Sequence, residues 1–235
     1  MHKPTVLLYS FSGTDMTHVA FVRSAMGLRT PEADVVYRHI TRMPIHAARQ
    51  QACETAILIE KDLNITHVCM IDDDQCDIPE NAISRLLAHD KDFVAAFVYT
   101  RHPPYLPNIY DLGSDGKYHN IDDNRERTGL IKAGATGFGM VLIKVSAIKK
   151  LYEQDKNLFG YWGEVGEDIF FCRRMEKAGL QMFMDTNLII GHLGAPIVVN
   201  EGIRKDWISK NGLPKKIPTF EEAMKLQAQE TAKRS

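Results

Sequence analysis

Residues 66–77 (Thr-His-Val-Cys-Met-Ile-Asp-Asp-Asp-Gln-Cys-Asp) carry the densest chemistry in the chain, an apolar run that stops abruptly at the consecutive carboxylates Asp72, Asp73 and Asp74. Adjacent acids repel one another unless solvent, hydrogen-bond donors or a cation neutralise them, and divalent cations prefer oxygen ligands of this kind. The triplet is therefore a candidate cation site, with an acidic loop capping the next helix as the plainer alternative. A second acidic stretch, residues 162–174, sets Glu167 and Asp168 just ahead of the apolar positions Ile169, Phe170, Met175 and Leu180. That spacing predicts a helix with both acids in its first turn, where they complement the helix dipole and stay ionised whether or not they also do chemistry. Arg42 and Arg49 flank the start of another helical stretch and suit a diphosphate, a base or plain solvent. His192, near a strand end, reads either as a hydrogen-bonded structural residue or as a ligand.

The elements that must position these groups follow from periodicity. Apolar runs at 5–9, 34–37, 68–71 and 93–98 alternate with helical patterns at 17–26, 46–63 and 79–88, the signature of a parallel sheet built from βαβ units. The uncharged run 68–71 reads as a strand buried on both faces, which puts the acidic triplet at its carboxyl end, the edge where open α/β sheets bind ligands. The turn at 10–15, opening with Ser10, is placed to hold a nucleotide, although its lone Gly13 makes neither a GxGxxG pattern nor a P-loop.

From residue 99 the pattern changes. Three prolines exclude a helix from 99–107, and 108–112 with 117–121 flank Gly-Ser-Asp-Gly as a hairpin. Further strands are expected at 129–132, 137–143, 181–184 and 188–193, and a helix at 146–152. Within 134–139 the side chains are small, so that backbone around Gly137 and Phe138 either approaches a ligand closely or forms a bulge or tight turn. Residues 195–218, rich in Gly, Pro and Lys with one Trp207, read as a mobile flap, and 220–233 as a charged helical tail.

The 235 residues can bury a sizeable core, and 44% hydrophobic with 25% charged residues is ordinary for a soluble globular protein. A net charge of −1 supplies no global field to recruit nucleic acid or acidic membranes. No run approaches the roughly 18 apolar residues of a membrane span, and the N-terminus lacks a secretory pattern. Cys53, Cys69, Cys76 and Cys172 show no CxxC spacing and read as reduced thiols of a cytoplasmic protein.

Taken in order, residues 5–194 resemble a GT-A type glycosyltransferase, close to the family-2-like bacterial and phage enzymes. The resemblance rests on Ile71-Asp72-Asp73-Asp74 followed by Asp77-Ile78-Pro79, on Leu86-Leu87-Ala88-His89-Asp90, and on the loop from Val98-Tyr99-Thr100-Arg101 to Pro104. It implies an α/β GT-A fold: a mostly parallel central sheet flanked by helices, with a small antiparallel hairpin region. A catalytic domain would span 1–194, its donor half about 1–100 and its acceptor half about 101–194, with flap and tail at 195–235. The family's DxD motif falls on Asp72 and Asp74, its glycine-rich acceptor-side strand on 135–141, its acidic helix start on Gly166-Glu167-Asp168 and its late metal histidine on His192. The resemblance thus implies Mn²⁺, or Mg²⁺, held by Asp74, His192 and Asp72. Donor contacts would come from Asp72, Asp73, Arg49, Ser10, Gly137 and Phe138, and the catalytic carboxylate from Asp168, with Glu167 second. The implied activity is metal-dependent transfer of a sugar from a nucleotide-diphosphate sugar, UDP-sugar favoured, to an acceptor hydroxyl. Inversion is slightly favoured, with a retaining enzyme of the same fold, a sugar nucleotidyltransferase and a non-catalytic nucleotide-sugar binder as alternatives. A saccharide, a lipid-linked sugar, a protein side chain or a modified DNA base would each present such a hydroxyl. Arg101, Arg125, Arg127, Arg173 and Arg174 could meet a polyanion.

Overall fold

The computed structural model describes residues 3–121, 129–161, 165–194 and 198–212, together with Glu222 and Lys225. Expectations placed on Arg125, Arg127, residues 162–164 and most of the tail lie outside them.

Seven strands form the central sheet: β1 (Thr5–Ser12), β2 (Asp34–Thr41), β3 (Ile65–Asp72), β5 (Phe93–Phe97), β8 (Leu130–Ala133), β10 (Met140–Lys144) and β11 (Met182–Ile189), in the order β2-β1-β3-β10-β5-β11-β8. Side chains alternate between its faces, as the two-residue period of a strand requires. Leu7, Tyr9 and Phe11 of β1 join one core, under α2 (Ile45–Leu63), α4 (Val145–Gln154) and α5 (Glu167–Lys177). Val6 and Leu8 join the other, under α1 (Val19–Gly27) and α3 (Ala82–Ala88).

The sheet is mixed, which corrects the expectation of a mostly parallel one. β1 pairs in parallel with β2 and β3, and β5 with β11, but β10 runs antiparallel to both β3 and β5, and β8 antiparallel to β11. A parallel return needs a crossover, usually a helix. The described part of the excursion between β5 and β10 contains none; it carries instead the edge strand β8 and the small sheet of β6 (Ile109–Leu112), β7 (Tyr118–Asn120) and β9 (Ala135–Thr136). The chain therefore re-enters at the edge it left, in the reverse direction. The hairpin expected over 108–121 is present as β6 and β7.

Two further expectations change. β1 does not stop at residue 9, because the hydroxyls of Ser10 and Ser12 find partners in Tyr37, His39 and the Met16 carbonyl. Within 195–218, β13 (Val198–Val199) pairs with β12 (Gly191–Leu193) and is followed by α6 (Glu201–Asn211), so the described part is ordered structure rather than loop. Asn200 caps α6 by accepting a 3.1 Å hydrogen bond from the Ile203 amide. Trp207 then packs edge-on to Tyr105, and the buried Arg204 donates to the Pro104 carbonyl at 2.9 Å. No helix among the described residues is long and apolar enough to cross a membrane, and all four cysteines are free and buried.

Gly134 lets β6 come close: an added Cβ would lie 2.9 Å from the Leu112 amide nitrogen, 3.0 Å from the Tyr110 oxygen and 3.1 Å from the Asp111 Cα. All three are backbone atoms of a paired strand and cannot swing aside. Gly134→Ala is expected to cost about 1–3 kcal/mol, read as a lower urea midpoint with an unchanged slope.

Candidate active site

The centre of the site is the guanidinium of Arg49, on the buried face of α2. That face is made of Ala48, Arg49, Ala52, Cys53 and Ala56, whose spacing of three and four residues and small size seat the helix close against the sheet. Arg49 is only 2% exposed. Its Nη2 donates to both oxygens of Asp72, at 2.7 and 2.9 Å, and its Nη1 to Oε1 of Glu167. Its Cζ lies 5.0 Å from the Phe138 ring centre and 5.9 Å from that of Phe11. Burial opposes the charge of Arg49, but the carboxylates of Asp72, Glu167 and Asp168 outweigh it and raise its pKa. One side chain thus joins α2 to the end of β3, the start of α5 and the turn before β10.

That turn is held by the sheet itself. Met140 pairs with Ile71, and the Asp72 amide donates to the Gly139 carbonyl at 3.1 Å, so Phe138 is delivered to the carboxyl edge beside the acidic triplet. Asp73 stands half-buried between its two neighbours. Ser10 is buried, its hydroxyl engaged with the Tyr37 hydroxyl and with Nδ1 of His39, both at 2.6 Å.

The other side of the triplet is tied to His192 by backbone. β4 (Gln75–Cys76) pairs with β12, bringing His192 opposite Gln75, and the Leu193 amide donates to the Asp74 carbonyl at 2.7 Å. The imidazole accordingly sits with Nε2 at 3.4 Å from Oδ2 of Asp74, while its Nδ1 donates to the Tyr99 carbonyl at 2.8 Å. Because Nδ1 is the donor, Nε2 faces the carboxylate either as an N–H or across a cation. Arg101 reaches the same Oδ2 at 3.0 Å, and Gln75 donates to Oδ1 at 2.7 Å. Burial pushes the Asp74 pKa up, but His192, Arg101 and Gln75 outweigh it and hold the carboxyl below its usual range.

Of the three residues expected to hold a metal, the structure brings two together. Asp74 and His192 converge, while Asp72 turns to Arg49; among the described residues no group of three His, Cys, Asp or Glu is arranged to hold an ion. One carboxylate and one imidazole, the latter oriented through its far nitrogen, suit a cation that brings other oxygen ligands with it.

Glu167 and Asp168 open α5 after Gly166, as expected, with Arg174 and Lys177 in its last turn. Asp168 is half-buried, and its Oδ1 accepts a 2.7 Å hydrogen bond from the Ile169 amide. Burial first, and the charge of Glu167 second, push its pKa up to about 7, against the pull of Arg49. Burial likewise raises Asp72 to about 6. The residue-type reading did not assign Tyr99, Gln75, Tyr110 or Phe11 to the site. The Tyr110 hydroxyl, 2.9 Å from Oδ1 of Asn108, lies near enough to Asp168 to feel its charge.

Two outcomes follow. Removing the cation in Arg49→Met strands two half-buried carboxylates and is expected to lower stability by about 2–4 kcal/mol in urea titration. Asp168 binds its proton more tightly folded than unfolded, so its contribution is full at pH below about 4 and is lost as pH rises through about 7. Asp168→Asn removes that loss. Its stability relative to the parent should climb across this window by on the order of 1–3 kcal/mol, one pKa unit being about 1.36 kcal/mol.

No protein-family model matches the chain, and no curated protein matches it at a significant level. Among solved structures, A197 from STIV superposes with a TM-score of 0.55 at 14% identity, over 80% of this chain and 84% of that one. CMP:2-keto-3-deoxy-manno-octonic acid synthetase complexed with CTP gives 0.48 at 11% identity, over 89% of this chain and 100% of that one. A protein provisionally described as a nucleotide-diphospho-sugar transferase, from Desulfovibrio desulfuricans G20, gives 0.44 at 11% identity, over 78% and 80%. The chain is similar to A197 in fold: a mixed α/β architecture around one large central sheet.

Proposed function

We propose that this chain is a glycosyltransferase that moves a sugar from a nucleotide-diphosphate sugar to an acceptor hydroxyl. The observation that carries the reading is that one buried cation, Arg49, draws together the two segments that carry separate working groups: through Asp72 the strand end bearing the Asp74–His192 pair, and through Glu167 the helix start bearing the Asp168 carboxyl.

Asp74 and His192 would hold Mn²⁺, or Mg²⁺, together with oxygens of the diphosphate. Such an ion acts as a Lewis acid where the leaving group gains negative charge. Arg101 already supplies positive charge to the same Asp74 oxygen and would transfer it to phosphate. Asp73, half-buried at the carboxyl edge, is available to sugar or ribose hydroxyls. The Phe138 turn, held against Asp72 and Arg49, would form a floor under the donor.

Asp168 takes the acceptor proton as the acceptor oxygen bonds to the anomeric carbon and the bond to the diphosphate breaks. A carboxyl raised to about 7 suits that task, since a general base works best with a pKa near the operating pH. The same rise means that the base is ready only once deprotonated.

Incubation of the chain with a panel of nucleotide sugars and Mn²⁺ should release nucleoside diphosphate, with UDP-sugar the preferred donor. Transfer should rise with pH to a plateau above about 7. Asp168→Asn should lower it ~10²–10⁴-fold while donor binding persists, and Asp74→Ala should remove the Mn²⁺-dependent gain in nucleotide affinity. Pyrophosphate release from a nucleoside triphosphate and a sugar would instead mark a nucleotidyltransferase. Binding without turnover would mark a non-catalytic protein.

A further inference from the structure

At the far edge of the sheet from β8, β2 pairs only with β1 among the described residues, so its outer edge offers an unfilled row of backbone donors and acceptors over eight residues. The apolar side chains left in solvent gather at this same edge. Of the eleven large hydrophobic residues exposed in the described structure, six lie on or just before α1 or on β2: Met16 (79%), Val19 (82%), Val22, Met26 (76%), Val35 (41%) and Tyr37 (49%). Val19, Val22 and Met26 share one face of α1 by their spacing of three and four. Between that helix and β2 runs a groove of about 520 Å³, lined by Val22, Met26, Val35 and Tyr37 over a floor of Leu8 and Phe21. Concentration of this kind marks an interaction surface, whereas single exposed hydrophobics need no explanation.

The charges on the strand indicate the occupant. An edge guarded against pairing carries like charges, prolines or bulges. β2 has none of these; besides His39 it carries one carboxylate and one guanidinium, both exposed, set symmetrically about Val36: Asp34 and Arg38. If a second β2 lies antiparallel to the first with Val36 opposite its own copy, Asp34 of each strand faces Arg38 of the other, giving two cross-strand ion pairs. On the other face of the sheet Val35 faces Tyr37 twice, and the exposed sides of the two α1 helices flank the join. Opposite charges directly across a ladder stabilise it and like charges oppose it, so the sequence Asp34-Val35-Val36-Tyr37-Arg38 is complementary to itself.

We propose that this chain forms a two-fold dimer through antiparallel β2–β2 pairing, with α1 and its groove closing over the join. The arrangement is isologous and ends in a closed pair. It leaves the carboxyl edge with Asp74 and Asp168 in each subunit, so it stands independently of the proposed activity.

Charge reversal at exposed positions tests it on the full chain. Sedimentation velocity over a concentration series should give a dimer for the parent. Asp34→Arg and Arg38→Asp should each place two like pairs across the join and weaken association at least tenfold, with the circular dichroism spectrum unchanged. The double variant should recover the dimer, and mixing the two single variants should give a heterodimer, which also shows that both are folded. A parent chain that stays monomeric at the highest concentration reached would overturn the proposal, whether the face is then covered by residues 213–235, by a small apolar ligand or by nothing. A dimer that is indifferent to both reversals would overturn it too, by placing the interface elsewhere.

Discussion

The arrangement depends on one buried positive charge. A guanidinium taken out of water is costly unless its donors are filled and its charge is matched, and the cost falls on whatever holds it in place. Arg49 meets that demand by drawing in Asp72 from β3 and Glu167 from α5, between the rings of Phe11 and Phe138. Since these five residues come from five separate segments, satisfying one cation fixes where α2, α5 and the turn before β10 stand relative to the strand that carries the acidic triplet. The charge balance also explains the behaviour of the remaining acid. Arg49 is already matched by two carboxylates, so Asp168 gains little from it, and burial prevails.

The Asp74–His192 pair rests on a different principle, geometry imposed by backbone. β4 and β12 are only two and three residues long. Their ladder nonetheless sets the imidazole beside the carboxylate, and the Tyr99 carbonyl fixes which nitrogen is presented. The loop that carries Tyr99 is in turn held by α6 through Arg204 and Trp207. Residues 198–211 therefore support the site from a distance of one shell, although none of them touches Asp74 in the described contacts.

How much of this the sequence reveals differs by level. Strands β1, β3 and β5 and helices α2 and α5 are legible because each carries its own period, and the placing of the acids at a strand end and a helix start follows from those periods alone. Strand direction is not written in a strand's own pattern. Residues 140–144 would look the same in either sense, and only the lack of a crossover helix in the described excursion sets it. Residues 200–211 mislead through their glycine and lysine, while the informative signal is Asn200 three residues before Ile203, a capping pattern. At the site, the types of Asp72, Asp74, Asp168 and His192 announce their chemistry. Arg49 as a buried hub was open to detection, since Ala48, Ala52, Cys53 and Ala56 mark the inner arc of α2 and Arg49 lies within it. The Tyr99 carbonyl was not, because any residue supplies a backbone oxygen.

The reversed strand β10 has a consequence for how such a molecule can change. The excursion from residue 98 to residue 139 joins β5 to β10, two strands that pair directly with each other, and on the way it lays down β8 as the outer strand beside β11. Closing a longer loop between fixed ends costs only about 0.6 kcal/mol per doubling of its length. The part of this stretch ahead of β8 can therefore be lengthened, shortened or exchanged as a cassette without rethreading the framework, so that the surface on that side is free to diverge while the charged centre beneath it is retained.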